Sequence, residues 1–484
     1  MKQYTPNIEM MNEKNKTLSD CYKTAGAKLM LNLIILVSIA ISSCKRFVEI
    51  EPPINRITTE TAFQSDQSAI SAISGLYSNM MKSNLFLTNG GVSVYTGLSS
   101  DELFNTTSNN DNNALRNNNI QTTNGIILTQ IWSFGYNLIY QTNAILEGLS
   151  SSNSLTPSLK QQLEGEAKFI RGLCHFYLTN LFGDIPLITS TDYEINAVMP
   201  RITQSQLYQQ IVLDLKDAKN FLSTVYPSSG KVRPNKWTAS ALLARVYLYL
   251  KDWNNAEAEA TTVINSGLYS LDPNLNNVFL ANSKEAIFQL RPVNTSNAPG
   301  DANAFIPSST SANVKPAFAL TQFVTNAFDI GDLRTSSWIK SKVVSGQTYN
   351  YPFKYKIYSS TNAPTEFNMV LRLAEQFIIR AEARAQQNNI MDAQLDLNIV
   401  RTRAGLPNTI ANDKNSLLSA IEHERQVELF AEWGHRWFDL KRTGRADAIL
   451  GIEKAPNWQF TDALYPIPFS ELQFNPTLTQ NPGY

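Results

Sequence analysis

Residues 237–267 read WTASALLARVYLYLKDWNNAEAEATTVINSG. Trp237, Ala241, Ala244 and Leu248 recur at spacings of three and four, which lines them along one face of a helix. The polar corner KDWNN (251–255) interrupts the pattern, and Ala256, Ala260 and Val263 open a second stripe that stops before Gly267. Two antiparallel helices are expected, with alanines at the seam so that the backbones approach closely.

The same design recurs further on. Val370, Leu373, Ala374, Phe377, Ile378 and Ala381 form one stripe, QQNN (386–389) a polar corner, and Ala393, Leu397 and Val400 a second stripe before Gly405 and Pro407. Laying Ala256 on Ala393 brings Ala244 onto Ala381 and Val263 onto Val400, and the match resembles tetratricopeptide units. The copies are degenerate and not contiguous. A mainly α chain is therefore expected, a tetratricopeptide-like scaffold of helical pairs with large irregular, loop-rich insertions and minor short strands. A further amphipathic helix covers Gln161 to Leu181, with Gly183 and Pro186 ending it and Cys174 and His175 reading as packing residues.

Between the two pairs, the stretch 294–365 is rich in Ser, Thr, Asn, Pro and aromatics. In TYNYPFKYKIY the alternation puts Tyr349, Tyr351, Phe353 and Tyr355 on one face of a short strand. Residues Asn105 to Asn124 are dominated by Asn and Thr and read as a long surface loop.

The N-terminal region points outside the cytoplasm. Leu29 to Ile41 is an apolar run preceded by Lys23 and Lys28 and followed by Ser42, Ser43 and Cys44, the order of a signal peptide. It is shorter than the roughly 20 residues a bilayer span needs. ISSC resembles a bacterial lipobox, although Ile41 stands where Leu is commoner, so cleavage before Cys44 and lipidation of that thiol are expected. The expected organisation is a signal peptide with an upstream extension over 1–43, a tether over 44–61 carrying Pro52 and Pro53, and a body over 62–484 with a loop-rich lobe around 270–365. Cys174 is then the single cysteine of the mature chain, so a core and not a disulfide framework must hold it. Lys+Arg and Asp+Glu both number 41, without the basic excess of a nucleic-acid binder.

The densest ionisable segment is IEHERQVELFAEWGHRWFDLKRTGR, Ile421 to Arg445. A zinc-protease helix needs HExxH, and Val427 stands where the second histidine is required after His423 and Glu424. Glu424 and Glu428, one turn apart, point the same way and cannot flank a glycosidic bond. They read instead as part of an ion-pair lattice with Arg425, Arg436, Lys441 and Arg442. No reaction, metal or cofactor is called for.

ERQVELFAEWGHRWFDLKRTGRA (424–446) and LYPIPFSELQFNPTLTQNPGY (464–484) resemble the two C-terminal signatures of the SusD/RagB family of glycan-capture lipoproteins. EAKFIRGLCHFYLTNLFGDIPLI, the 237 block, EAIFQL and CKRFVEIEPP resemble its other blocks, in order. The resemblance implies a non-catalytic, lipid-anchored outer-membrane protein, exposed at the cell surface, that hands oligosaccharides to a SusC-like TonB-dependent transporter. Lys45 and Arg46 depart from the acidic residues that often follow the lipidated cysteine of surface-exported members. Aromatic platforms with Asn, Asp, Arg or Lys around them suit sugars, so a site is expected from Tyr95 and Asp101 together with Trp338, Tyr349 and Tyr351 of the insertion. A tetratricopeptide-like adaptor that binds peptide or holds a transporter, without a glycan site, is the competing reading, and a glycoside hydrolase the third.

Overall fold

The computed structural model describes residues 62–484, together with 28–30 and 32. The expected signal peptide, Cys44 and the tether over 44–61 lie outside the described residues. Thr59–Tyr484 forms one compact unit, and among the described residues no helix is long and apolar enough to cross a membrane.

Both predicted helical pairs are present. The first is α6 (Lys236–Tyr249) and α7 (Trp253–Ile264), the second α8 (Leu373–Gln386) and α9 (Ile390–Arg403). Asn235 caps α6 by accepting from the Thr238 N–H at 3.0 Å, and Asp252 caps α7 through Asn255. Ala241, Ala244, Ala256, Ala260, Ala381 and Ala393 are all fully buried, as the small-residue seam requires. Although more than a hundred residues separate the pairs in sequence, α7 packs against α8, and the two units stack as neighbours.

The stack extends towards the N-terminus through α1 (Asp66–Met81), α2 (Gly91–Ser99), α3 (Phe134–Ser151), α4 (Pro157–Phe182) and α5 (Gln204–Phe221). Helix α4 is flanked by α3 and α5, so nearly every residue from Gly165 to Phe182 is buried. Its charged side chains within that stretch keep partners: Arg171 forks onto Asp214 at 2.8 and 2.6 Å, and Glu166 accepts from Arg233. The Tyr177 hydroxyl accepts from Arg245 of α6, which also grips Glu375 of α8 at 2.7 Å, pinning three helices at one point. Cys174 is fully buried on the packed stripe, and His175 is fully buried beside it. Burial, then Arg171, lowers His175 to about 3, so it stays neutral.

The segment between α7 and α8 begins and ends in paired strands, β2 (Ala286–Leu290) and β6 (Asn368–Arg372), which run antiparallel. Within it, β3 (Phe318–Leu320) pairs with β1 (Leu103–Asn105), placing Phe104 opposite Ala319. A hairpin follows, β4 (Ile339–Val344) and β5 (Gln347–Pro352), turned by Ser345 and Gly346, both at positive φ. Tyr349 and Tyr351 share a face of β5 as the alternation predicts, whereas Phe353 and Tyr355 lie beyond the strand, which ends at Pro352.

The Asn105–Asn124 stretch is not the surface loop its composition suggests. A helix covers Asn110–Arg116, and Leu115 and Ile120 are buried. Asparagine side chains replace the missing apolar period by capping backbone: Asn109 accepts from the Asn112 N–H, and Asn124 from those of Ile126 and Ile127.

Candidate functional site

The C-terminal signature folds as α10 (Lys414–Glu428), a tight turn and α11 (His435–Arg442). The turn is steep, with Ala431, Trp433 and Gly434 all at positive φ. A side chain at Gly434 would place its Cβ 2.6 Å from the Thr96 hydroxyl of α2, so glycine is needed for the close approach as well as for φ.

The acidic stripe of α10 does form an ionic lattice, but with partners the sequence reading did not name. Glu428 accepts from Arg334 at 2.8 Å and Arg372 at 2.5 Å, and also pairs with Arg403. Glu424 meets Arg334 and Arg401, while Glu432 meets Arg372 and Lys354. These cations arrive from the insertion, from β6 and from α9, because α10 lies across the junction of scaffold and lobe. Arg425, Arg436 and Arg442 pair elsewhere, with Asp439, Asp101 and Glu382. Lys441 donates to the Asn180 carbonyl.

Asp101 and Arg436 lie at the edge of a cleft of about 590 Å³. Arg436 donates to both Asp101 oxygens, at 2.8 and 2.6 Å, which fixes the planes of both groups. Beside them, Arg445 bonds Glu422 at 2.6 Å, and His423 Nε2 donates to the Ala327 carbonyl at 2.7 Å. Phe323, 43% exposed, lines the same cleft with Ile449 and Ile452 of α12 (Ala446–Glu453), Asn326 and Gln426. A cleft that combines planar polar groups with an open ring suits a ligand with hydroxyl edges and apolar C–H faces.

Of the sugar-contacting residues expected from sequence, only Asp101 lines this cleft, beside His423 and Arg436, which the sequence reading weighs for other roles. Tyr95 is buried in α2 and donates its hydroxyl to Gln130. Trp338 is fully buried: its indole N–H donates to the Leu275 carbonyl at 3.0 Å, and Lys354, Arg403 and Arg372 stand 4.7, 5.5 and 5.8 Å from its ring. Its ring is occupied by the lattice and offers no open face to a sugar. Tyr351 is buried in the hairpin. Tyr349 is also buried, against Phe104 of β1, so the chain after α2 and the insertion meet there through packed rings. Phe323, Asn326, Gln426, Arg445 and Ile449 escaped the sequence reading because a helix-face or loop residue carries no mark of which cavity it borders.

Beneath Asp101 lies Glu102. Burial, then the Asp101 carboxylate, pushes it up to about 8, partly opposed by the Ala431 N–H that donates to it. Between about pH 4.3, the unfolded value, and pH 8 the folded chain holds a proton that the unfolded chain releases, so stability falls as pH rises through that window. Relative to wild type, Glu102→Gln should gain stability by on the order of 4 kcal/mol between pH 5 and pH 8.5, read from urea unfolding at the two pH values. Equal differences at both pH values would contradict a protonated Glu102.

Two family models match the chain: one described as starch-binding associating with outer membrane, over residues 46–248, and the SusD family, over residues 332–484. SusD-like protein P25 of Formosa agariphila is 26% identical, covering 94% of this chain and 99% of its own length. Among solved structures, a SusD superfamily protein from Bacteroides vulgatus superposes with a TM-score of 0.78 at 21% identity, covering 87% of this chain and all of its own. A laminarin binding SusD-like protein gives 0.74 at 25% identity, with coverage of 87% and 100%. The chain belongs to the SusD/RagB family.

Proposed function

We propose that this protein captures an oligosaccharide in the Asp101–Arg436 cleft and passes it unaltered to a SusC-like TonB-dependent transporter, held at the outer membrane by lipid on Cys44 and exposed at the cell surface. The observation that carries the reading is a cleft lined at once by the open Phe323 ring, two arginine-locked carboxylates and two amides, on a scaffold of buried ion pairs. Stacking supplies area, and the fixed polar planes supply register for hydroxyls. The family description and the laminarin binding neighbour support a glycan as ligand. Both cleft carboxylates are engaged by arginine, Asp101 by Arg436 and Glu422 by Arg445, which suits holding a chain more than cleaving it.

Phe323→Ala combined with Arg445→Ala should weaken glycan binding at least about tenfold, equivalent to about 1.4 kcal/mol, with the melting temperature little changed. Calorimetry with the glycan that wild type binds checks this. Unaltered affinity would move the site elsewhere.

A further inference from the structure

A second cleft, of about 390 Å³, shares no lining residue with the first. Its floor is rigid: Trp132 and Tyr136 pack with centroids 4.9 Å apart, and the Tyr136 hydroxyl donates to the Pro186 carbonyl at 2.9 Å. Trp132 sits in a π-helical turn, Ile126–Ser133, a conformation that recurs at functional sites. The walls are open rings, with Tyr140 of α3 50% exposed and Phe474 of the C-terminal signature 82% exposed. Glu471, which no cation pairs with among the described residues, lines the same cleft, as does Asn196, whose amide N–H donates to the Ser190 carbonyl at 2.9 Å and leaves its oxygen to accept.

We propose that this cleft is a second glycan subsite, taking a short neutral stretch of an oligosaccharide between Tyr140 and Phe474 with its hydroxyls on Glu471 and Asn196. The volume falls in the range of small-ligand pockets, roughly 300–1,000 Å³. Two open rings accept the flat C–H faces of a pyranose, and an unpaired carboxylate accepts from its hydroxyls. Burial raises the Glu471 carboxyl above its usual range, partly opposed by the Trp132 indole, and a hydroxyl donor there would replace lost water. Glycan as the ligand rests on the capture reading above; the location and the second stoichiometric equivalent do not follow from it.

Calorimetry on the full-length protein tests the subsite, using oligosaccharides of α-glucan, β-glucan, xylan, mannan and galactan and a lysine-rich peptide as the competing occupant. Wild type should bind two equivalents of a short oligosaccharide. Tyr140→Ala with Phe474→Ala should bind one and lose at least about tenfold on long chains, through lost avidity. Phe323→Ala with Arg445→Ala should keep the other equivalent. Wild-type stoichiometry and affinity in the Tyr140/Phe474 variant overturn the subsite and leave the first cleft standing. Peptide binding that this variant alone loses, with glycan binding intact, also overturns it. If no glycan binds any form, both readings fall together.

Discussion

Replacing Glu428 by alanine should lower the unfolding free energy by about 3–5 kcal/mol, the usual cost of removing one member of a buried ionic cluster. Glu428 is fully buried among Arg334, Arg372 and Arg403, and its loss leaves three guanidinium groups short of a partner in a site closed to water. Burial by itself would raise its pKa, yet Arg403, Arg372 and Arg334 together hold it well below the ordinary carboxylate range. The folded value is therefore below the unfolded one, and the stability it contributes is present above about pH 4.3 and lost as pH falls through the folded value. Urea unfolding at pH 7 and pH 3.5 checks both points: the gap between wild type and Glu428→Ala should narrow in acid. A gap that is small at pH 7 would mean that the lattice does not hold scaffold to lobe.

Trp338→Ala should cost a similar amount, about 3–5 kcal/mol, as expected for truncating a buried tryptophan. The indole covers Lys354, Arg372 and Arg403, so truncation removes cation–π contacts and opens the lattice to water at the same time. Trp338→Phe keeps a ring over the cations but loses the bond to the Leu275 carbonyl, and it should fall between the two. Melting curves rank the three proteins. Glycan affinity measured well below the melting temperature should be the same in all three, and a selective loss of affinity with unchanged stability would return Trp338 to the binding site.

Periodicity revealed the helices because buried faces repeat along the chain. The alanine seams of α6–α7 and α8–α9 needed no partner information, and the corners followed from KDWNN and QQNN. What periodicity cannot encode is which distant segments meet. The acidic stripe of α10 was legible as a lattice, but its cations Arg334, Arg372 and Arg403 come from elements far away in sequence, and nothing local marks them. Aromatic content misled for a related reason: Trp338 and Tyr351 sit in a polar segment that looks exposed, yet Trp338 joins the main core and Tyr351 is buried in the hairpin. The Asn-rich stretch misled in the same direction, because capping by side-chain amides builds structure without apolar residues.

Glycan capture without cleavage is tested most directly by calorimetry of wild-type protein against the oligosaccharide panel, followed by chromatography of the recovered sugar. The account predicts saturable binding of one glycan class and recovery of chains at their original length. Absence of binding to every glycan, or recovery of shortened chains, would contradict it.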